Sequence, residues 1–230
     1  MYQSAYLVIN LLLAVVWLTL FFLRKDLRKE QIFLSIVVGI FAPFTDYFIF
    51  FKDYWRPEYI ISVNINGVIL GIESILCGGL IGGISGVLYE SFFRRKQKFS
   101  KPRNLEAVIV FVSILLGMFL LNKMGVNSIW ASSISLAVSA IAMSHIDKDL
   151  KRDALWSSIL LLITAFGVYL AWFSIYPDIL NKFWLTQNMS GIKLWRIPLE
   201  ELVWFMSAGA AGGVFYEFWK NVRRYPLKTR

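Results

Sequence analysis

One cysteine and one histidine in 230 residues set the first limits on this chain. Cys77 alone can neither close an intrachain disulfide nor build a thiolate metal cluster. His145 stands near the end of a long apolar run and fits an interfacial polar residue rather than a ligand or relay. Charge is scarce as well. Charged residues make up 17% of the chain and hydrophobic ones 57%, against about a quarter and about half in soluble domains. No G-x-G-x-x-G follows a soluble strand, which excludes a dinucleotide fingerprint. No polar stretch is long enough for a separate domain, so residues 1–230 read as a single membrane domain.

What is present is apolar runs of about twenty residues, the length of a transmembrane helix. Seven are expected, over 2–23, 31–51, 67–93, 104–122, 126–146, 154–176 and 198–219. The net charge of +9 invites a nucleic-acid reading, but its distribution argues for none. Eighteen cations follow the first, third, fifth and seventh runs: Arg24, Lys25, Arg28 and Lys29, six within 94–103, Lys148, Lys151 and Arg152, and five after Trp219. The other loops hold six: Lys52, Arg56, Lys123, Lys182, Lys193 and Arg196. The positive-inside rule then puts the N-terminus outside and the C-terminus in the cytoplasm; the plasma membrane is the expected location. The first run has no basic segment before it and no small-residue cleavage site, so it reads as a retained helix rather than a signal peptide.

The chain also repeats itself. Gly71-Ile-Glu-Ser…Gly82…Gly86…Tyr89-Glu90 is echoed without a gap by Pro198-Leu-Glu-Glu…Gly209…Gly213…Tyr216-Glu217. Upstream, Lys25-Asp-Leu-Arg-Lys-Glu30 matches Lys148-Asp-Leu-Lys-Arg-Asp153. Such self-similarity predicts two like-folded halves. The expected fold is an all-α integral membrane protein of seven helices in a 3+1+3 arrangement of parallel tandem repeats. Repeat one is about 1–93, linker and fourth helix about 94–122, and repeat two about 126–220. Gly82/Gly86 and Gly209/Gly213 are small-xxx-small pairs that let helices approach closely, and suggest packing of spans three and seven across the pseudo-axis. The outer loops, with Trp184 and Trp195 before span seven, suit a headgroup belt or a lid over a lipid-facing site. The alternation over 61–66 allows a small interfacial hairpin.

Ionisable groups inside apolar helices are expensive and functional by default. Glu73 and Glu90, like Glu200 and Glu217, are seventeen residues apart, about 25 Å at helical rise, and so bracket the hydrocarbon slab. Glu73, Glu200, Glu201 and Asp46, which follows a kink expected at Pro43, converge at the outer level with few cations nearby. Glu200 and Trp204 share one helical face, Glu201 and Phe205 the next. A carboxyl group among aromatic rings can act as a proton donor, and the rings can stabilise a cation. Acid and aromatics together serve olefin protonation or proton-coupled transport equally well.

Trp195-Arg-Ile-Pro-Leu-Glu-Glu-Leu-Val-Trp-Phe-Met206, followed by a small-residue helix ending in Tyr216-Glu217, resembles the membrane-integral lycopene cyclase domain of carotenoid cyclases and fungal bifunctional phytoene synthases. In the first repeat Gly71-Ile-Glu-Ser keeps only one acid of that motif. The resemblance implies a non-redox, acid/base cyclisation of an acyclic carotenoid end group that enters from the bilayer, with no redox cofactor. It implies Glu200 and Glu201 as the catalytic carboxylates. Glu200, the acid common to both repeats with Trp204 one turn away, is the expected proton donor and Glu201 its partner; Glu73 or Asp46 would complete the cluster, and Trp204 and Phe205 would line the substrate. Membrane lipids and a polyprenyl substrate are the expected partners, and association with itself or a homologue stays open. Two other readings share the topology: a seven-helix transporter, although no Pro-Gln motif of the sugar carriers occurs, and a non-catalytic prenyl-lipid-binding protein. A retinal protein is excluded, since no lysine lies between Leu199 and Trp219.

Overall fold

A computed structural model describes residues 2–93 and 96–225. Arg94, Arg95, Lys228 and Arg230 of the charge argument lie outside the described residues, as do the side chains at 96–99 and 223–225. The long helices follow the apolar runs closely: α1 Ala5–Leu23, α2 Arg28–Thr45, α3 Ile72–Phe92, α4 Asn104–Lys123, α5 Ser128–Ile146, α6 Leu150–Ile175 and α7 Leu199–Lys220. Six of the seven are long and apolar enough to cross a membrane; α7 is not among them, and it carries Glu200, Glu201, Glu217 and Lys220.

Burial explains the shape of each helix. α1 hides only a narrow stripe, Ala5, Tyr6, Ile9, Asn10, Leu13 and Leu20, the spacing of one helical face. Its other face exposes Leu11, Val15, Phe22 and Leu23, and α2, α4, α5 and α6 show similar apolar exposure. Water would not tolerate so continuous an apolar surface, but acyl chains satisfy it. α4 is peripheral, burying only Ala107, Val110 and Met118. α3 and α7 form the centre, and α3 is buried without interruption from Ile81 to Glu90.

The same packing occurs in each half. α3 packs on both α1 and α2, and α7 packs on both α5 and α6. A Cβ at Gly82 would stand 2.7 Å from Val38 Cβ, and one at Gly209 would stand 2.6 Å from the Ser157 carbonyl oxygen. The glycine pairs therefore serve chiefly within each half, α3 on α2 and α7 on α6. Across the two halves, Ser85 of α3 meets Gly212 and Gly213 of α7.

α2 does not end where its regular turns stop. After Pro43 comes a wide π-turn, Asp46–Phe50, and then one last α-turn, Phe51–Asp53. A proline removes a backbone donor and displaces a carbonyl, and such wide turns recur where a side chain must be re-aimed. Here that side chain is Asp46.

Short antiparallel hairpins precede both central helices: β1 Ser62–Ile65 with β2 Val68–Gly71 before α3, and, beyond a second pairing, β4 Lys193–Leu194 with β5 Ile197–Pro198 before α7. The hairpin expected over 61–66 thus spans two strands and supplies the chain that span three was expected to begin with. The remaining pair, β3 Lys96–Phe99 with β6 Val222–Tyr225, ties the linker to the C-terminal segment at the other end of the bundle. At that end Arg103 also pairs with Asp147 at 3.1 Å. At the hairpin end Asp53 accepts from Asn122 and from the Ser128 N–H, both at 3.0 Å. The loops therefore sort into the two ends in the sets that the charge count separates.

Candidate functional site

The two hairpin-end loops lock together over α7. Trp55 bridges Trp184 in antiparallel fashion, the Leu185 N–H donates to the Tyr54 carbonyl at 2.8 Å, and the Trp55 and Trp184 rings meet edge to face at 4.8 Å. Trp184 does not sit in a headgroup belt. It is 3% exposed, because its indole N–H has a partner inside: it donates to Glu201 at 2.9 Å. Trp195, at 74% exposed, keeps the belt position.

Glu201 is the centre of this arrangement. Besides Trp184, it accepts from the Tyr54 hydroxyl at 2.8 Å and the Tyr169 hydroxyl at 2.6 Å. Burial, and then the charge of Glu201, raise the Tyr54 phenol well above its ordinary pKa, so it stays protonated and donates. Beneath lies a cavity of about 100 Å³ lined by Asp46, Tyr54, Trp55, Tyr169, Glu201, Trp204 and Phe205 together with apolar side chains. A second, more apolar chamber of about 220 Å³ runs between α2, α4 and α7. The two share Tyr6, Asp46, Phe50, Cys77, Ile81 and Trp204 as walls.

Asp46 faces Glu201's cavity from the other half. It accepts from the Ser74 hydroxyl, which in turn bonds Tyr59 at 3.0 Å and receives the Tyr6 hydroxyl at 3.4 Å. The repeat register places Glu30 on Asp153 and hence Asp46 on Tyr169, while Ser74 falls on Glu201. Each half thus joins its second and third helices by one acid–hydroxyl hydrogen bond, with the acid on α2 in the first half and on α7 in the second.

Glu73 and Glu200 are placed differently from Glu201 and line neither cavity. Glu200 Oε1 accepts the Ser190 N–H at 2.6 Å. Glu73 Oε1 accepts the N–H groups of Ile60 and Ile61 at 2.7 and 3.2 Å. Both acids hold the loop that precedes their own helix. So the cavity gathers Asp46, Glu201, Trp204 and Phe205 from the expected set, and leaves Glu73 and Glu200 against the loops. Tyr54, Ser74 and Tyr169 went unnoticed in the sequence, and only the repeat register holds a signal for Ser74 and Tyr169. Among the described residues no group of three His, Cys, Asp or Glu side chains is arranged to hold a metal ion.

Six long apolar helices around a carboxyl-bearing, aromatic-walled chamber are the build of a multi-pass membrane protein. Residues 127–219 match the family model described as lycopene cyclase. The matched stretch runs from the start of α5 to the end of α7 and includes the Pro198-Leu-Glu-Glu201 motif. Comparison with curated proteins and with solved structures gave no match.

Proposed function

We propose that this protein is a carotenoid end-group cyclase in which Asp46 and Glu201, rather than Glu200, are the proton-handling pair. The observation that carries this reading is that two buried carboxyl groups, one from each half, line one aromatic-walled cavity. Glu201 receives three hydrogen bonds from Tyr54, Tyr169 and Trp184, and an ionised carboxylate is a pure acceptor. It is equipped to stay an acceptor, to stabilise a nearby cation and to take up its proton. Asp46, held by Ser74, is the donor.

The reaction balances without net oxidation. Asp46 adds its proton to the terminal double bond of an acyclic polyene and leaves a tertiary cation. A second double bond of the same end group attacks that carbon, closes a six-membered ring and moves the charge into it. Glu201 then removes a ring proton and restores a double bond, so substrate and product are isomers. The Trp204 and Phe205 rings, which meet edge to face at 5.0 Å, stand on the cavity wall where cation–π attraction applies. The apolar chamber takes the adjoining polyene, which arrives from the bilayer.

The seven-span, N-out topology belongs to the same reading. α7 falls short in hydropathy since it lies at the protein centre, where helices need not be apolar all round. Its 22 residues are about 33 Å long, enough to cross a core of about 30 Å.

Pigment analysis of lycopene-producing cells that express the protein tests the reading. Cyclic products are expected with wild type. Removing a positioned acid or base costs about 10²–10⁴-fold in rate, so Asp46→Asn and Glu201→Gln are expected to accumulate the acyclic pigment at unchanged protein levels. Conversion equal to wild type in both variants, or no conversion by wild type, defeats the assignment and favours binding or transport.

A further inference from the structure

Away from the cavity, the second half carries a furrow of about 600 Å³ between α5, α6 and α7. Its floor is small: Ala140, Ser144, Ala154, Ser158 and Ser207 are buried, and its rims are the exposed Ile141, Leu155 and Met206. One end is closed by His145 and Lys151, both exposed.

The repeat provides an internal comparison. Its register places Ser35 on Ser158, Gly83 on Ala210 and Arg28 on Lys151. In the first half this place is filled by the protein itself. The Trp17 indole lies against Gly83 and donates to Ser35 at 2.9 Å, and Phe21 stacks on Trp17 at 4.9 Å. Arg28 caps the assembly, donating to the Phe21 carbonyl at 2.8 Å with its guanidinium 4.5 Å from the ring centre. In the second half the furrow is open, and the Lys151 side chain has no partner among the described residues.

We propose that the α5–α6–α7 furrow is a binding site for one anionic phospholipid, an acyl chain lying on the small-residue floor and the phosphate at Lys151 and His145. Charge complementarity selects this occupant. Lys148 and Arg152 stand beside Lys151 in sequence. Of the neighbouring acids, Asp147 is paired with Arg103 and Asp153 is fully buried, which leaves Asp149 as the exposed one. Basic pockets between membrane helices on the basic-loop side are where anionic headgroups collect. An apolar chain from the membrane supplies what Trp17 and Phe21 supply in the first half.

The test is native mass spectrometry of the full chain, reconstituted in equimolar phosphatidylglycerol and phosphatidylcholine vesicles and then extracted in mild detergent. Wild type is expected to retain phosphatidylglycerol in preference to phosphatidylcholine. Lys151→Glu is expected to lower the phosphatidylglycerol share about fivefold or more, the worth of a juxtamembrane cation. Ile141→Trp, which sets an indole on the α5 rim as Trp17 sets one on α1, is expected to remove the bound lipid. Ile141 is 69% exposed, so that variant keeps the fold. Equal retention of both lipids by wild type, or wild-type retention by either variant, overturns the proposal. So does a dimer that Ile141→Trp dissociates, which would assign the furrow to a second copy of the chain.

Discussion

Glu200 and Glu201 are adjacent in sequence and differently placed, one against a loop and the other in the cavity. A helix turns about 100° per residue, so one carboxyl faces the preceding loop and the other the cavity. Glutamine at 200 keeps an oxygen able to accept the Ser190 N–H, and Glu200→Gln is expected to leave product formation within the same order of magnitude. Tyr169→Phe removes the 2.6 Å bond to Glu201 and nothing else. A hydrogen bond to a charged group contributes about 1.5–3 kcal/mol, so Tyr169→Phe is expected to slow cyclisation roughly ten- to a hundredfold. Single-turnover product formation in membranes measures both. A Glu200→Gln variant as slow as Glu201→Gln would return the donor role to Glu200. This division was only partly legible in the sequence. The motif and the helical wheel put both acids on a candidate site, but what gathers around the cavity-facing acid comes partly from residues far away in sequence. Tyr54 is 147 residues from Glu201, and no local pattern announces that contact.

At the scale of elements, helix bounds were the most legible feature, since a span of fixed apolar length is demanded by the bilayer itself. The wide turn of α2 was less so. Pro43 signals a kink, yet whether the chain bends or widens is settled by what packs on it. The glycines were legible as close-packing residues, but not in their choice of partner. A strip of small residues says that a backbone approaches without saying which. Their placement makes a prediction of its own. At Gly213 a side chain would run into Ser157 and the Ser85 carbonyl, whereas at Gly167 nothing stands within 4 Å. Overpacking costs about 1–3 kcal/mol, so Gly213→Leu is expected to lower the thermal midpoint of the detergent-purified protein by several degrees. Gly167→Leu is expected to leave it in place. Size-exclusion recovery after heating reads the difference, and equal midpoints for the two would refute the packing assigned to α6 and α7.

For the whole molecule, the sequence echo between the halves lets one be read against the other. Each half keeps a hairpin, a central helix with its glycines and an acid–hydroxyl bond. The side on which the acid sits has been exchanged, so one cavity receives two carboxyl groups from two directions. The proposed orientation in the membrane rests on which loops share an end. The linker pairs with the C-terminal segment through β3 and β6, and Arg103 reaches Asp147, so the basic loops share one end. The hairpins and Asp53 share the other. Under the proposed orientation the basic loops stay in the cytoplasm, with Ser100 inside and Lys193 outside. Cys77 is the only cysteine, so a Cys77→Ala background carries no other thiol. In intact cells a membrane-impermeant maleimide is expected to label Lys193→Cys at once and Ser100→Cys only after permeabilisation. Labelling of Ser100→Cys from outside would invert the molecule. It would also place the phospholipid furrow's cationic end in the outer leaflet, where the charge argument for its occupant no longer holds.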